Sequence, residues 1–511
     1  MCSQVVFARV RIFIPSIRYP EKNADGKKTC ILTNPCYDKQ KISLCWVEDF
    51  TMRLRNLFRR SGGESPLFHT IFTIRETFCA DTDGHAGCRR SLLSGNCFSG
   101  MVSSLTAGIY FTGLMLAMGA SDVYIGYVAS IISFCGFFQI LSPMILERLP
   151  RRKKLVMGVY ATYHFLNIGL VGVLPLLPVA NNVKLVLFMV TLLILNIANN
   201  LVSPGMLTWH LQCIQNNKKR IGFFAISNMI STVLNNATVL LAGLFLDKFE
   251  ADNIMIGNIS PTLSAILILR GVALVLAVIE VICYGKVKEN PYAVEEGQQK
   301  SPGIRLLLRP LKNKAFLSAI SVTLIWTFST AIVGSYFSIY LLEDVHMSYS
   351  LISLVGMLSV PLNLLVSPAW TKFLQRKPWH KAILVSQLLT IAAYALNPVV
   401  TVERTWFYMV CIGLGTLASP GTSLAHSHLT YAYMPEENRT AFVSFNAVLG
   451  QIFAFLGTNV GVLFIQFSEN MSVNVLGLQM GSKQMINWIS AALMLMLCVY
   501  TQIFVRKKLP E

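Results

Sequence analysis

Twelve apolar stretches of about 20–28 residues fill the sequence after residue 90 and leave few folds open to it. They lie near 91–118, 122–146, 155–178, 184–211, 222–247, 262–284, 316–341, 348–373, 380–400, 405–431, 440–467 and 484–505, numbered below as runs 1 to 12. At about 1.5 Å of rise per residue, each is long enough to cross a bilayer as a helix. In hydrocarbon every backbone N–H and C=O needs an internal partner, and these runs are far too long for the strands of a closed barrel. The expected fold is an all-α membrane protein of 12 transmembrane helices. Composition agrees. Charged residues are 13% and hydrophobic residues 54% of the 511, too few charges to cover a soluble surface.

The runs form two related sets of six. Ser203-Pro204-Gly205, followed by His210, returns as Ser419-Pro420-Gly421, followed by His426, at an offset of 216. Ser142-Pro143 returns as Ser367-Pro368, an offset of 225, and Tyr110-Phe111-Thr112 as Tyr336-Phe337-Ser338, an offset of 226. Three anchors in the same order imply an internal duplication, read here as two pseudo-symmetric six-helix bundles. The expected division is a tail over 1–90, a first bundle over 91–284, a linker over 285–315, a second bundle over 316–505 and a short tail over 506–511. The linker is polar and holds Pro291, Pro302 and Pro310.

The formal charge of +18 invites a nucleic-acid reading, which the placement of the cations excludes. Lys and Arg gather before residue 91 and in the loops after the even-numbered runs, for example Arg151, Arg152, Lys153 and Lys154, or Lys218, Lys219 and Arg220. The odd-numbered loops hold only Lys184, Lys248, Arg404 and Lys483. That asymmetry is the signature of membrane topology and predicts that both termini and all even loops are cytoplasmic, in a cell-membrane protein.

Residues 1–90 contain no spanning run and no secretory signal. Residues 1–51 are expected to be disordered, or else the product of too early a start codon, since Met52 opens an ordinary basic cytoplasmic start. Within the tail Cys79, Asp81, Asp83, His85 and Cys88 cluster, but their spacing fits no paired zinc pattern, so no metal or other cofactor is expected. The twelve cysteines have no regular spacing and are read mostly as free thiols.

Polar residues inside the runs are the candidates for function. Run 1 carries Asn96, Ser99, Ser103, Thr106, Tyr110 and Gly113 on one face for five turns. Run 5 repeats the pattern with Asn228, Ser231, Asn235 and Thr238. Run 4 has Asn196, Asn199 and Asn200, run 7 has Trp326, Tyr336 and Tyr340, run 10 has Ser423, and run 11 has Asn446. Small and hydroxylated residues also let membrane helices pack closely, and about half of the Ser, Thr and Gly fit that role. Asparagines need partners or water, so these stripes predict a water-filled path lined by runs 1, 4, 7 and 10.

Two charges lie inside run 6. Arg270 is read either as a solute contact or as a partner for helix-end carbonyls, and Glu280 as an interfacial residue. They are ten residues apart, about 15 Å on a helix, too far to pair directly. His210 and His426 are gate candidates; a histidine can also carry a proton near neutral pH. Pro204 and Pro420, and Pro361 in run 8, predict bends in runs 4, 10 and 8.

With twelve helices, a six-plus-six repeat and a central linker, residues 91–508 resemble the major facilitator superfamily. The loop after run 2 resembles that family's Gly-x3-Asp-Arg-x-Gly-Arg-Arg signature: Glu147, Arg148, Arg151 and Arg152 match the acid, the arginine and the basic pair, while Pro143 and Pro150 replace both glycines. The resemblance implies a gating cluster in which Glu147 pairs across the halves and Arg148, Arg151 and Arg152 surround it. Ser203-Pro204-Gly205 and Arg220-Ile221-Gly222-Phe223-Phe224 are also similar to uncharacterised bacterial members. The Gly-Pro antiporter signature of run 5 is missing, which weighs against proton-driven drug export.

The expected function is a monomeric secondary transporter that moves a small organic solute by alternating access, with a proton or sodium as coupling ion. The alternatives are an exporter of amphipathic, drug-like compounds, suggested by the aromatic and Met-rich composition, and a non-transporting membrane sensor. An enzyme is not expected: no nucleophile–base set shares a membrane depth, and no phosphate-binding loop occurs.

Overall fold

Every apolar run becomes a helix. The computed structural model describes residues 85–508 apart from 147–148, 213, 215–216, 258, 290–308, 436–438, 469–470 and 476–477. The expectations for residues 1–84, including Cys79, Asp81 and Asp83, lie outside the described residues, as does most of the linker. The helices are α1 Ala86–Ala117, α2 Asp122–Leu141, α3 Lys153–Leu176, α4 Asn181–Leu211, α5 Asn217–Ala251 and α6 Pro261–Gly285 in the first half. The second half has α7 Lys314–Asp344, α8 Tyr349–Arg376, α9 Trp379–Val399, α10 Phe407–Ala432, α11 Arg439–Ser468 and α12 Ser482–Val505. A two-stranded hairpin, β1 Val473–Val475 against β2 Leu478–Met480, precedes α12.

Local chemistry sets where helices start. Ser121 Oγ accepts from the Tyr124 N–H at 3.2 Å at the start of α2, and Ser348 Oγ from the Leu351 N–H at 3.3 Å at the start of α8. Asn313 does the same for α7, and Ser260 for α6, whose first residue is Pro261. Each cap satisfies a backbone donor that the helix itself cannot. The basic loop before α3 docks on the end of α6. The Glu289 carboxylate accepts from the backbone N–H groups of Arg152 and Lys153 at 2.7 and 3.0 Å, and Lys153 Nζ donates to the Gly285 and Val287 carbonyls. An acid at a helix start and a cation at a helix end both oppose the helix dipole.

Between membrane helices, close packing rather than water release drives association. On α11 the sequence Gly457-Thr458-Asn459-Val460-Gly461 lays its two glycines on the backbone of α7; a Cβ there would stand 2.4 Å from the Phe328 carbonyl oxygen and 2.3 Å from that of Ile332. The halves meet along two seams. In one, Asn459 Nδ2 of α11 donates to Ser130 Oγ of α2 at 2.6 Å. In the other, Gly243 of α5 lies against the Tyr349–Ser350 backbone of α8, where a Cβ would come within 2.9 Å.

The prolines do not interrupt their helices: Pro204, Pro361, Pro368 and Pro420 all sit inside helices that run on. The breaks fall instead in α1, at Ala107-Gly108, and in α7, at Gly334. Gly108 has φ +60° and Gly334 φ +42°, conformations that favour a residue without a Cβ. They are the first residues of Gly108-Ile-Tyr-Phe-Thr and Gly334-Ser-Tyr-Phe-Ser, so the repeat anchored by Tyr110 and Tyr336 includes the break.

Candidate functional site

The break in α1 opens onto a cavity of about 520 Å³ between the two halves. α1 contributes Ser99, Gly100, Ser103, Ser104 and the Ala107–Tyr110 turn; α5 contributes Asn235, Asn236 and Val239; α8 contributes Ile352, Ser353 and Gly356; α10 contributes Tyr408. The spacing of the α1 and α5 stripes puts hydroxyls and amides on one face of each helix. Among the described residues no charged side chain lines it. The volume suits a small organic molecule, and irregular backbone at membrane depth is tolerated where it borders such a cavity. Asn235 packs on Gly100, and its Oδ1 has no hydrogen-bond partner among the described residues.

The cavity is roofed by contacts between the halves. The Tyr110 ring stacks on Tyr349 with centroids 5.9 Å apart, and its hydroxyl bonds the Val239 carbonyl at 2.5 Å and lies 3.4 Å from Ser353 Oγ. Asp247 of α5 accepts from the Tyr349 and Ser350 N–H groups, each at 2.9 Å, at the start of α8. Lys483 at the start of α12 reaches Asp122 of α2 at 3.0 Å, Glu343 at 2.9 Å and Asp344 at 3.0 Å. All these contacts lie toward the odd-numbered loops.

Of the residues expected to line the path, Ser103, Tyr110 and Asn235 border this cavity. Asn96 lies below it, accepting from Tyr284 Oη at 2.9 Å and donating to Ser227 Oγ at 3.1 Å. Thr106 bonds its own helix at the Val102 carbonyl, at 2.8 Å. Asn228 and Ser423 are exposed outside this cavity, and Asn446 is half-buried with no partner for Oδ1 among the described residues.

α1, α5, α8 and α10 border this cavity, and of the helices expected to line the path α4 and α7 do not. Asn196 and Asn200 of α4 donate to the carbonyls four residues back, Leu192 and Asn196, at 2.8 and 2.9 Å. In α7, Tyr340 is buried between the Val400 carbonyl and Gln484, Tyr336 is packed on Gly126, and Trp326 lies against His426. Arg270 does not border this cavity either. It is 4% exposed and donates Nη1 to the carbonyls of Asn167 and Ile168 at 3.1 and 3.4 Å. The wide π turn Leu166–Leu170 of α3 loosens the normal ladder there and frees acceptors for it.

Tyr336 carries a direct test. Its hydroxyl is buried without a partner among the described residues, and unpaired buried hydroxyls cost about 1–3 kcal/mol. Tyr336→Phe is expected to melt at or above the wild-type temperature with solute binding unchanged. A clear loss of binding would return Tyr336 to the path.

The gate candidates separate. Glu147 and Arg148 lie outside the described residues. Arg151 is exposed, and Arg152 is tied through its backbone to Glu289 of its own half. His210 packs on Trp209 and Tyr284 in the first half, and His426 lies 3.3 Å from Gln387 Nε2 in the second. Glu280, expected near the interface, is 0% exposed within the bundle. It accepts a hydrogen bond from the Tyr160 hydroxyl, and Tyr160 lies 3.4 Å from Ser99.

Sequence reasoning missed Gly108, Ser104, Ser353 and Tyr408. The signal for Gly108 was legible, since Gly108 and Gly334 share the 226 offset of the Tyr-Phe pair. For Ser353 and Tyr408 no signal separates a cavity-facing residue from a packed one.

A sequence model described as Major Facilitator Superfamily matches residues 92–458. No curated protein sequence matches the chain. Among solved structures it is similar to a mutant form of the nucleoside transporter NupG, with TM-score 0.60 and 14% identity over 82% of this chain and 100% of that one. It is similar to an auto-inhibited POT family peptide transporter, with TM-score 0.60 and 12% identity over 83% and 97%. A bacterial homologue of the iron transporter ferroportin, in its inward-facing state, gives TM-score 0.59 and 15% identity over 82% and 98%.

Proposed function

The chain belongs to the Major Facilitator Superfamily, as a multi-pass membrane protein and solute transporter, and from that premise we propose that it moves a small uncharged or zwitterionic organic solute by alternating access in the cell membrane, with both termini cytoplasmic. The cavity carries this reading: hydroxyl and amide groups at the seam between the halves, broken backbone beside them, and no fixed charge to demand an ionic partner. The roof of Tyr110, Tyr349, Asp247 and Lys483 supports a state closed toward the odd-numbered loops, which the charge asymmetry puts outside. NupG, a nucleoside transporter by its description, is consistent with a neutral hydrogen-bonding cargo.

The test is a thermal-unfolding screen of purified protein against nucleosides, polyols and zwitterionic amino acids, with amphipathic drugs as a second panel. A ligand at about 100 times its Kd adds about 2.7 kcal/mol to the folded state. One polar class should raise the midpoint, and Asn235→Ala or Ser353→Ala should remove most of that rise. A response to amphipathic compounds alone would replace this reading with the exporter.

A further inference from the structure

The first half holds a buried acid that the cavity alone does not explain. Glu280 of α6 is 0% exposed. Its Oε1 takes the Tyr160 hydroxyl, and its Oε2 has no hydrogen-bond partner among the described residues. A purely structural peg in hydrocarbon would satisfy both oxygens, because each unmet acceptor is costly there. The groups that face it are Tyr160 and His164 of α3, Ser99 of α1 and Tyr284 of α6, with His210 of α4 behind Tyr284. His164 Nε2 stands at 3.9 Å. Among the described residues no lysine or arginine is paired with it. Lys153 is spent on the end carbonyls of α6, and Arg89 lies ten residues before Ser99, about 15 Å along α1.

Ser99 joins this acid to the cavity. It lines the cavity wall and lies 3.4 Å from Tyr160 Oη, which in turn bonds Glu280. We propose that Glu280 is a proton-binding site that exchanges with the cavity through Tyr160 and Ser99, and so supplies the coupling ion of the transporter. The balance is simple: Tyr160 passes its hydroxyl proton to the Glu280 carboxylate and takes the Ser99 hydroxyl proton, which a hydronium ion in the cavity replaces, leaving water. One proton enters, one is delivered, and no other bond changes. A solute that takes the Ser99 hydroxyl for its own hydrogen bond interrupts this exchange, which links occupancy of the cavity to the protonation of Glu280. The second half has no matching arrangement among the described residues, where buried His426 faces Gln387 and Trp326.

The proposal rests on the transporter reading but is tested without a solute. Infrared difference spectra of the full chain in lipid nanodiscs, taken from about pH 5 to about pH 8, report the C=O stretch of buried carboxylic acids. One such band should titrate in the wild type, vanish in Glu280→Gln, persist in Glu343→Gln and titrate at a different pH in Tyr160→Phe. Replacing sodium by choline should leave it unchanged. A titrating band that survives Glu280→Gln, the absence of any titrating band, or a band that follows sodium instead of pH would overturn the proposal. If Glu280→Gln does not fold, Tyr160→Phe and Ser99→Ala keep the carboxyl and carry the test, and a band unmoved in both also overturns it. The solute panel is scored separately, so failure of the proton site leaves the cavity standing, and the reverse.

Discussion

Gly461→Val should cost the protein about 3 kcal/mol, the upper end of overpacking penalties, and lower its melting midpoint by about 3 °C. The reason is what the glycine touches. Gly457 and Gly461 lie four apart on one face of α11, and a Cβ at either would meet a backbone carbonyl of α7, Phe328 at 2.4 Å or Ile332 at 2.3 Å. A side chain can rotate out of the way, but a helix backbone cannot without moving the whole helix. Since packing is what holds membrane helices together, a forced separation of α7 from α11 removes contacts along their length. Gly413→Ala is the control, because a Cβ there would meet nothing within 4 Å. Melting of Gly461→Val together with the wild type would mean that α7 and α11 do not approach this closely.

Removing the Lys483 ammonium should open the mouth on the odd-loop side. Lys483 draws Asp122 of the first half to Glu343 and Asp344 of the second, so Lys483→Gln loses the attraction and leaves three carboxylates facing one another. Glu343 and Asp344 are 43% and 47% exposed, so solvent screens much of the effect. An allowance of about 1 kcal/mol corresponds to about a five-fold shift toward the open form. Spin labels at exposed Met255 and Val402, in the α5–α6 and α9–α10 loops, would report it as growth of a longer-distance population. Lys483→Arg should restore the wild-type distribution, and high salt should mimic part of the loss. Gly243→Val should shift the same populations in the same direction, since its side chain would wedge α5 from the start of α8. An unchanged distance distribution in Lys483→Gln would remove the lysine from the closure.

The helices were legible because hydrocarbon leaves the backbone no alternative, and their starts because Ser121, Ser260, Asn313 and Ser348 stand just before the apolar runs. The destination of polar side chains was not. An asparagine in a membrane helix can face a cavity, as Asn235 does, or bond its own helix four residues back, as Asn196 does, and the two look alike in sequence. Arg270 and Glu280 find their partners on α3, at Asn167, Ile168 and Tyr160, and a contact between helices more than a hundred residues apart leaves no local mark. The prolines and the breaks do not coincide. Inside a bundle the residues freed by Pro204 or Pro420 stay helical, while the positive φ of Gly108 and Gly334 does not fit a helix at all.

Those two glycines also date the break. If the two halves arose by duplication, as the repeat implies, a feature at the same offset in both is older than it, and the ancestral six-helix chain already had an interrupted first helix. Two copies of that chain meeting about a twofold axis would have put two such interruptions at one depth on either side of a shared space. The present chain has departed from that symmetry: its cavity is bordered by the interruption of α1, while the matching stretch of α7 has become packing around Tyr336 and Tyr340. On that reading one copy of an inherited feature keeps its place at the cavity wall while the other has been taken into packing.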